Sequence, residues 1–106
     1  MIYYLNSKGK KIEIIIKRHA VFSFRDRYEK LFGTVLTSTE AEGKIIALFP
    51  LASRVKNYNS REKIRIKRHG HSLYFRDPNF TYVIHNGVMI TVEISKKGFR
   101  KLNKEI

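Results

Sequence analysis

The sequence predicts an α+β domain: an N-terminal hairpin or strand, then two helices packed on one face of a four-stranded antiparallel β-meander. Three observations predict it. Apolar residues recur at helical spacing from His19 to Phe32, and again from Thr37 to Phe49. Beyond Arg61 they alternate instead, in runs parted by short turn sequences. The length, 106 residues, suits one modest core and is too short for two. We therefore expect a single α+β domain over residues 1–95 and a basic C-terminal tail or short helix over 96–106.

The first elements are "IYYL" (Ile2–Leu5) and "KIEIIIK" (Lys11–Lys17), flanking "NSKGK". Gly9 is available there for positive φ, so the pair reads as a hairpin. Ile12, Ile14 and Ile16 share one face of its second strand.

At His19 the period changes. Val21, Phe24, Tyr28, Leu31 and Phe32 form one stripe of a helix, and Gly33 is placed to end it. Arg25, Asp26, Glu29 and Lys30 occupy the opposite face. A second helix is expected in "TSTEAEGKIIALFP". Thr37 with Glu40 three residues on makes a capping box, Ala41, Ile45, Leu48 and Phe49 face the core, and Pro50 stops the helix. Leu51–Arg61 is a connection with a short strand at Arg54–Tyr58.

The runs "EKIRIKR", "SLYFRD", "FTYVIH" and "VMITVEIS", parted by "HGH", "PN" and "NG", read as four strands. The last hairpin has two registers. A two-residue Asn86-Gly87 loop pairs Tyr82 with Thr91 and sets the apolar residues at odds. A three-residue His85-Asn86-Gly87 loop pairs Ile84 with Val88, Tyr82 with Ile90 and Phe80 with Val92, which puts Phe80, Tyr82, Ile84, Val88, Ile90, Val92 and Ile94 on one side. We expect the second. Thr81, Val83, Met89, Thr91 and Glu93 then lie on the other face with Tyr74, Arg76 and either Lys63, Arg65 and Lys67 or their neighbours.

Charge dominates the composition. Lys and Arg total 22 against nine acids, for a net charge of +13. Charge on this scale calls for a polyanionic partner, because each neutralised phosphate releases counterions. RNA is the first expectation and DNA the alternative; a basic protein docking an acidic protein is the competing reading. The chain has no cysteine, which excludes disulfides, thiol catalysis and cysteine-based zinc sites. His69 and His71, two residues apart in a turn, do not make a metal site without further ligands. No cofactor or metal is expected. No apolar run approaches the roughly 20 residues of a membrane span, and no signal peptide is visible. A cytoplasmic protein without a membrane partner is expected.

Metal-free RNA cleavage needs a base for the 2′-hydroxyl, an acid for the leaving 5′-oxygen, and cations for the charge growing on phosphorus. His19 and Glu93 fit the acid–base pair. Arg27, Arg65 and Arg76 suit forked phosphate contacts, Lys17, Arg18 and Lys67 add positive charge, and Tyr74 is a candidate platform for a base. The bland alternatives are a surface histidine at a helix start and a Glu93 paired with Arg65 or Arg76 in an ordinary ion pair.

The segment "RHAVFSFRDRYEKL", with His19-Ala20 and Arg27 eight residues after the histidine, resembles the "HA…R" first helix of a family of small bacterial and phage domains grouped with RelE-like and BrnT-like toxins. "YFRDPNFTYVIHNGVMITVE" (Tyr74–Glu93) is similar to that family's closing strands. The resemblance spans about Ile14 to Ile94, fits less well in the middle, and meets the family's second arginine only loosely, at Arg25 or Arg27. It implies the barnase, colicin D and RelE type of nuclease fold and a metal-independent ribonuclease, often the toxin of a toxin–antitoxin pair. It carries over His19 on the first helix and Thr91 and Glu93 on the last strand as catalytic positions. An acidic antitoxin would match the charge. A nucleic-acid-binding module without catalysis, from a phage or mobile element, is the alternative.

Overall fold

The structure, a computed structural model, describes residues 2–70, 72–95 and 97–98. His71, the side chain of His69 and nearly all of the expected tail lie outside the described residues.

Strands β1 (Tyr3–Leu5) and β2 (Lys11–Glu13) form the expected hairpin, with Tyr3 opposite Glu13 and Leu5 opposite Lys11. The Asn6 side chain organises its turn by accepting the amides of Lys8 at 2.9 Å and Lys10 at 3.0 Å. The strand expected over Lys11–Lys17 breaks at Ile14, which is buried and donates its amide to the Ile2 carbonyl at 2.9 Å. The next two residues, β3 (Ile15–Ile16), leave the hairpin and join a different sheet.

Helix α1 (Arg18–Phe32) buries Ala20, Val21, Phe24 and Leu31, close to the stripe read from the sequence, and adds Ser23. Gly33 ends it in the left-handed conformation at φ 71°, its amide donating to the Glu29 carbonyl. Helix α2 (Ser38–Leu48) starts from the Thr37–Glu40 capping box, with both reciprocal bonds formed, and buries Ala41 and Ile45. A single 3₁₀ turn at Phe49–Leu51 carries Pro50 and leads to β4 (Ser53–Arg54), shorter than the Arg54–Tyr58 strand expected there.

The largest correction comes next. "EKIRIKR" is not a strand but part of α3 (Ser60–His69). Asn59 caps this helix through a second complete capping box, accepting the Glu62 amide while the Glu62 carboxylate accepts the Asn59 amide. The remaining runs, β5 (Leu73–Arg76), β6 (Phe80–His85) and β7 (Val88–Ile94), form the expected antiparallel meander. The main sheet is therefore five-stranded and mixed, in the order β3-β7-β6-β5-β4, with β3 parallel to β7. The expected four-stranded meander loses its first strand to a helix and gains a short strand at each edge.

The register of the last hairpin is also corrected. The loop is the two-residue Asn86-Gly87, at φ 49° and 76°, and His85 pairs with Val88. This is the mirror-image turn whose twist suits a hairpin. The conflict that argued against it is removed by a bulge: Ile84 pairs with Met89, Val83 with Thr91, and Ile90 is the extra residue. Beyond the bulge Tyr82 faces Val92 and Phe80 faces Ile94, so Met89, Val92 and Ile94 all reach the core. There Phe24 meets Phe80 at 4.7 Å between ring centroids, and Phe49 meets Phe75 at 5.0 Å.

Tyr82 is buried in this core and donates its hydroxyl to Asp77 Oδ2 at 2.8 Å. Burial, then the charge of Asp77, pushes the hydroxyl well above the ordinary tyrosine range. Such a group stays protonated in the folded chain while its unfolded counterpart ionises near pH 10, about 1.4 kcal/mol being lost per pH unit above that point. Stability should hold below about pH 10 and fall as pH rises further. Urea midpoints measured across that range should decline less steeply for Tyr82→Phe; an equal slope would mean that Tyr82 is not the group responsible.

Helices α1 and α2 cover one sheet face. The opposite face is not a plain solvated one. Helix α3 lies over part of it, held by ion pairs Arg65–Glu93 and Arg76–Glu62 and by the Tyr58 ring against Tyr74 at 5.6 Å. Tyr74, Thr81 and Val83 are buried on that face.

Candidate functional site

The direct feed of β3 into α1 sets the position of His19. The Lys17 amide still donates to the Met89 carbonyl at 3.2 Å, as in the strand, while the Lys17 carbonyl already accepts the first helical bonds. Two residues later His19 sits, exposed, in the first turn of α1. Ser23 and Arg27 follow at intervals of four, so the three lie along one line of the helix. Thr91 Oγ1 donates to Ser23 Oγ at 3.1 Å and fastens the middle of that line to β7.

On β7 the bulge at Ile90 turns Thr91 and Glu93 to the face away from the main core. Thr81 and Arg76 continue the Glu93 row across β6 and β5, and Val83 and Tyr74 continue the Thr91 row. Across the face, Arg65 reaches down from α3 to the Glu93 carboxylate. The space left between these parts is a cleft of about 560 Å³ lined by His19, Arg27, Arg65, Ser72, His85, Ile90, Thr91 and Glu93. Five of these eight were singled out from the sequence, and they come from α1, α3 and β7, far apart in the chain.

The other candidates stand elsewhere. Lys17 and Arg18 are exposed at the start of α1, and Lys67 is exposed on α3; none of the three lines the cleft. Arg76 lies in an adjoining hollow, donating to Thr81 Oγ1 at 3.0 Å and paired with Glu62. Tyr74 requires a correction. It is 1% exposed, so no base can stack on it. Its hydroxyl has no hydrogen-bond partner among the described residues, and its proton is held more tightly than usual, chiefly by desolvation. Arg25, the other match for the family's second arginine, donates to the Leu36 carbonyl at 2.7 Å and does not line the cleft; Arg27 does, with Asp26 beside it at 2.8 Å.

Three further polar residues stand at the site. Ser23 is legible in principle, midway between His19 and Arg27 on one helical line. His85, a candidate that the sequence places in a tight turn as a structural residue, follows Thr81 and Val83 on the same strand face and lines the cleft. Ser72 Oγ lies 3.4 Å from His85 Nδ1, a pairing without a signal in the sequence.

The cleft holds two histidines, two arginines, one carboxylate and one hydroxyl besides Ser72, a set able to take and return protons and to bind an anionic oxygen. Among the described residues there is no group of three or more His, Cys, Asp or Glu able to hold a metal ion, and no helix is long and apolar enough to cross a membrane. No protein-family model, no curated protein and no solved structure matches the chain.

Proposed function

We propose that the chain is a metal-independent endoribonuclease of the RelE/BrnT-like kind, the toxin of a toxin–antitoxin pair with an acidic antitoxin. The observation that carries the reading is the meeting of His19, Arg27, Arg65, Thr91 and Glu93 around one cleft. The net charge of +13 supports a polyanionic substrate.

In this mechanism Glu93 and His19 divide the proton work. One takes the proton of the ribose 2′-hydroxyl, whose oxygen attacks the adjacent phosphorus. The phosphorus–5′-oxygen bond breaks, and the other group protonates the departing oxygen. The products are a 2′,3′-cyclic phosphate and a free 5′-hydroxyl. Arg27 and Arg65 bind the non-bridging oxygens as charge builds on them, the role for which a guanidinium fork is suited. Thr91 holds the histidine helix to the carboxylate strand through Ser23, and so acts on geometry.

A second reading has its own observation. Glu93 is already engaged by Arg65, as expected of an ion pair that merely docks α3. On that reading the chain binds nucleic acid and cuts nothing. Incubating purified protein with mixed-sequence RNA in EDTA separates the two. Wild type should cut, and Glu93→Gln should cut at least about tenfold more slowly at equal RNA binding. RNA that is bound and left intact by wild type would establish the second reading instead.

A further inference from the structure

Between Ser53 and Gly70 the chain carries a single acid, Glu62, and it is buried at 4% exposure against Arg76. Arg65 is turned inward to Glu93. Six cations remain, Arg54, Lys56, Arg61, Lys63, Lys67 and Arg68, and all are exposed. The two ion pairs that dock α3 thus bury its only negative charge and leave its outer side wholly positive. Among the described side chains of this stretch no exposed aromatic accompanies these cations: Tyr58 is half-buried against Tyr74, and the one exposed large apolar residue is Ile64, at 56%.

That combination selects a partner. Unpaired RNA is held without sequence preference by cations together with aromatic rings on which its bases stack. A convex cationic rod without such rings can address only the backbone, and paired RNA is recognised mainly by its shape and phosphates. A helix of this length, about 15 Å at 1.5 Å per residue, spans several phosphates. We propose that the outer side of α3, with the turn before the helix, is a second binding surface that grips the phosphate backbone of a paired RNA stem. The unpaired strand beside that stem would enter the cleft on the inner side of the same helix. This inference rests on RNA being the polyanion and names the class of RNA: a stem flanked by an unpaired segment.

The test replaces Lys56, Arg61, Lys63 and Arg68 together by Gln, all outside the cleft. Fluorescence anisotropy over a range of salt follows binding of a hairpin with a single-stranded overhang and of an unstructured RNA of equal length. His19→Ala is the background in both proteins, so that neither RNA is cut. Each lost phosphate contact flattens the plot of log affinity against log salt by about 0.7 to 0.9. The four-residue variant should lose about three units of slope on the hairpin, and well under one on the unstructured RNA, at an unchanged melting temperature. Equal losses on the two RNAs would overturn the stem assignment in favour of general attraction. Unchanged binding of both would overturn it as well and leave the surface to another partner, such as an acidic protein. A wild-type chain that fails to cut RNA in EDTA sinks the ribonuclease reading without touching this measurement.

Discussion

Replacing His19 by alanine is expected to slow RNA cleavage by about 10²- to 10⁴-fold, the range for a positioned general acid or base. The side chain is exposed and stands in the first turn of α1, so truncating it opens no cavity. Urea midpoint and RNA affinity should therefore match wild type, which separates this variant from one that damages the fold. The loss should appear in the cleavage step under single-turnover conditions, with protein in excess of RNA and well above the dissociation constant. The second histidine of the cleft makes the test sharper. If His19→Ala cuts at the wild-type rate and His85→Ala does not, the proton is carried from β6, and the role assigned to the start of α1 is wrong. If neither variant changes the rate, histidine acid–base chemistry is absent from this cleft.

The second large effect concerns stability and centres on Glu62. One carboxylate oxygen accepts the Asn59 amide at 3.0 Å, and the other pairs with Arg76, which is itself 31% exposed at its side chain. Glu62→Ala removes both. Loss of half a capping box costs about 1 kcal/mol, and breaking an ion pair with one partly solvated member adds about 1 to 2 kcal/mol, below the value for a fully buried pair. We expect a loss of about 2 to 3 kcal/mol in urea unfolding. Glu62→Gln keeps the acceptor and the volume and loses only the charge, so it should fall about halfway. A Glu62→Ala variant within about 0.5 kcal/mol of wild type would mean that α3 is seated by something other than these contacts.

The two capping boxes show how much was legible. Thr37 with Glu40 marked the start of α2, and both bonds are formed. Asn59 with Glu62 carries the same signal and was passed over, because Ile64 and Ile66 alternate with Arg and Lys in a strand-like way. In the folded chain Ile64 faces outward, and it is the polar residues Glu62 and Arg65 that face the sheet. Hydrophobic periodicity cannot detect a helix that docks by ion pairs.

The hairpin failed for a different reason. The alternation rule assumes one residue per step, and the bulge at Ile90 breaks that step by design. Val92 and Ile94 reach the core as expected, but Met89 joins them in place of Ile90, which lines the cleft; the device that sorts them lies in the strand and not in the turn. The site fared better. Arg27 falls two helical turns after His19, and Thr91 and Glu93 share a strand face, both readable from spacing alone. That Tyr74 is roofed over followed from α3, and was lost with it.

The parallel pairing of β3 with β7 has a consequence for the order in which the chain is made. β3 is complete by residue 16, yet β7, its partner in the sheet, begins at residue 88. Until β7 has been synthesised, α1 lacks the strand it packs against most and His19 lacks the Thr91 and Glu93 side of its cleft. Closing so long a loop is slow and must precede any gain from the contacts it brings. A growing chain on the ribosome therefore carries its histidine, its arginines and its positive charge through most of translation without a cleft to put them in. The cleft is completed only when β7 enters the sheet between β3 and β6.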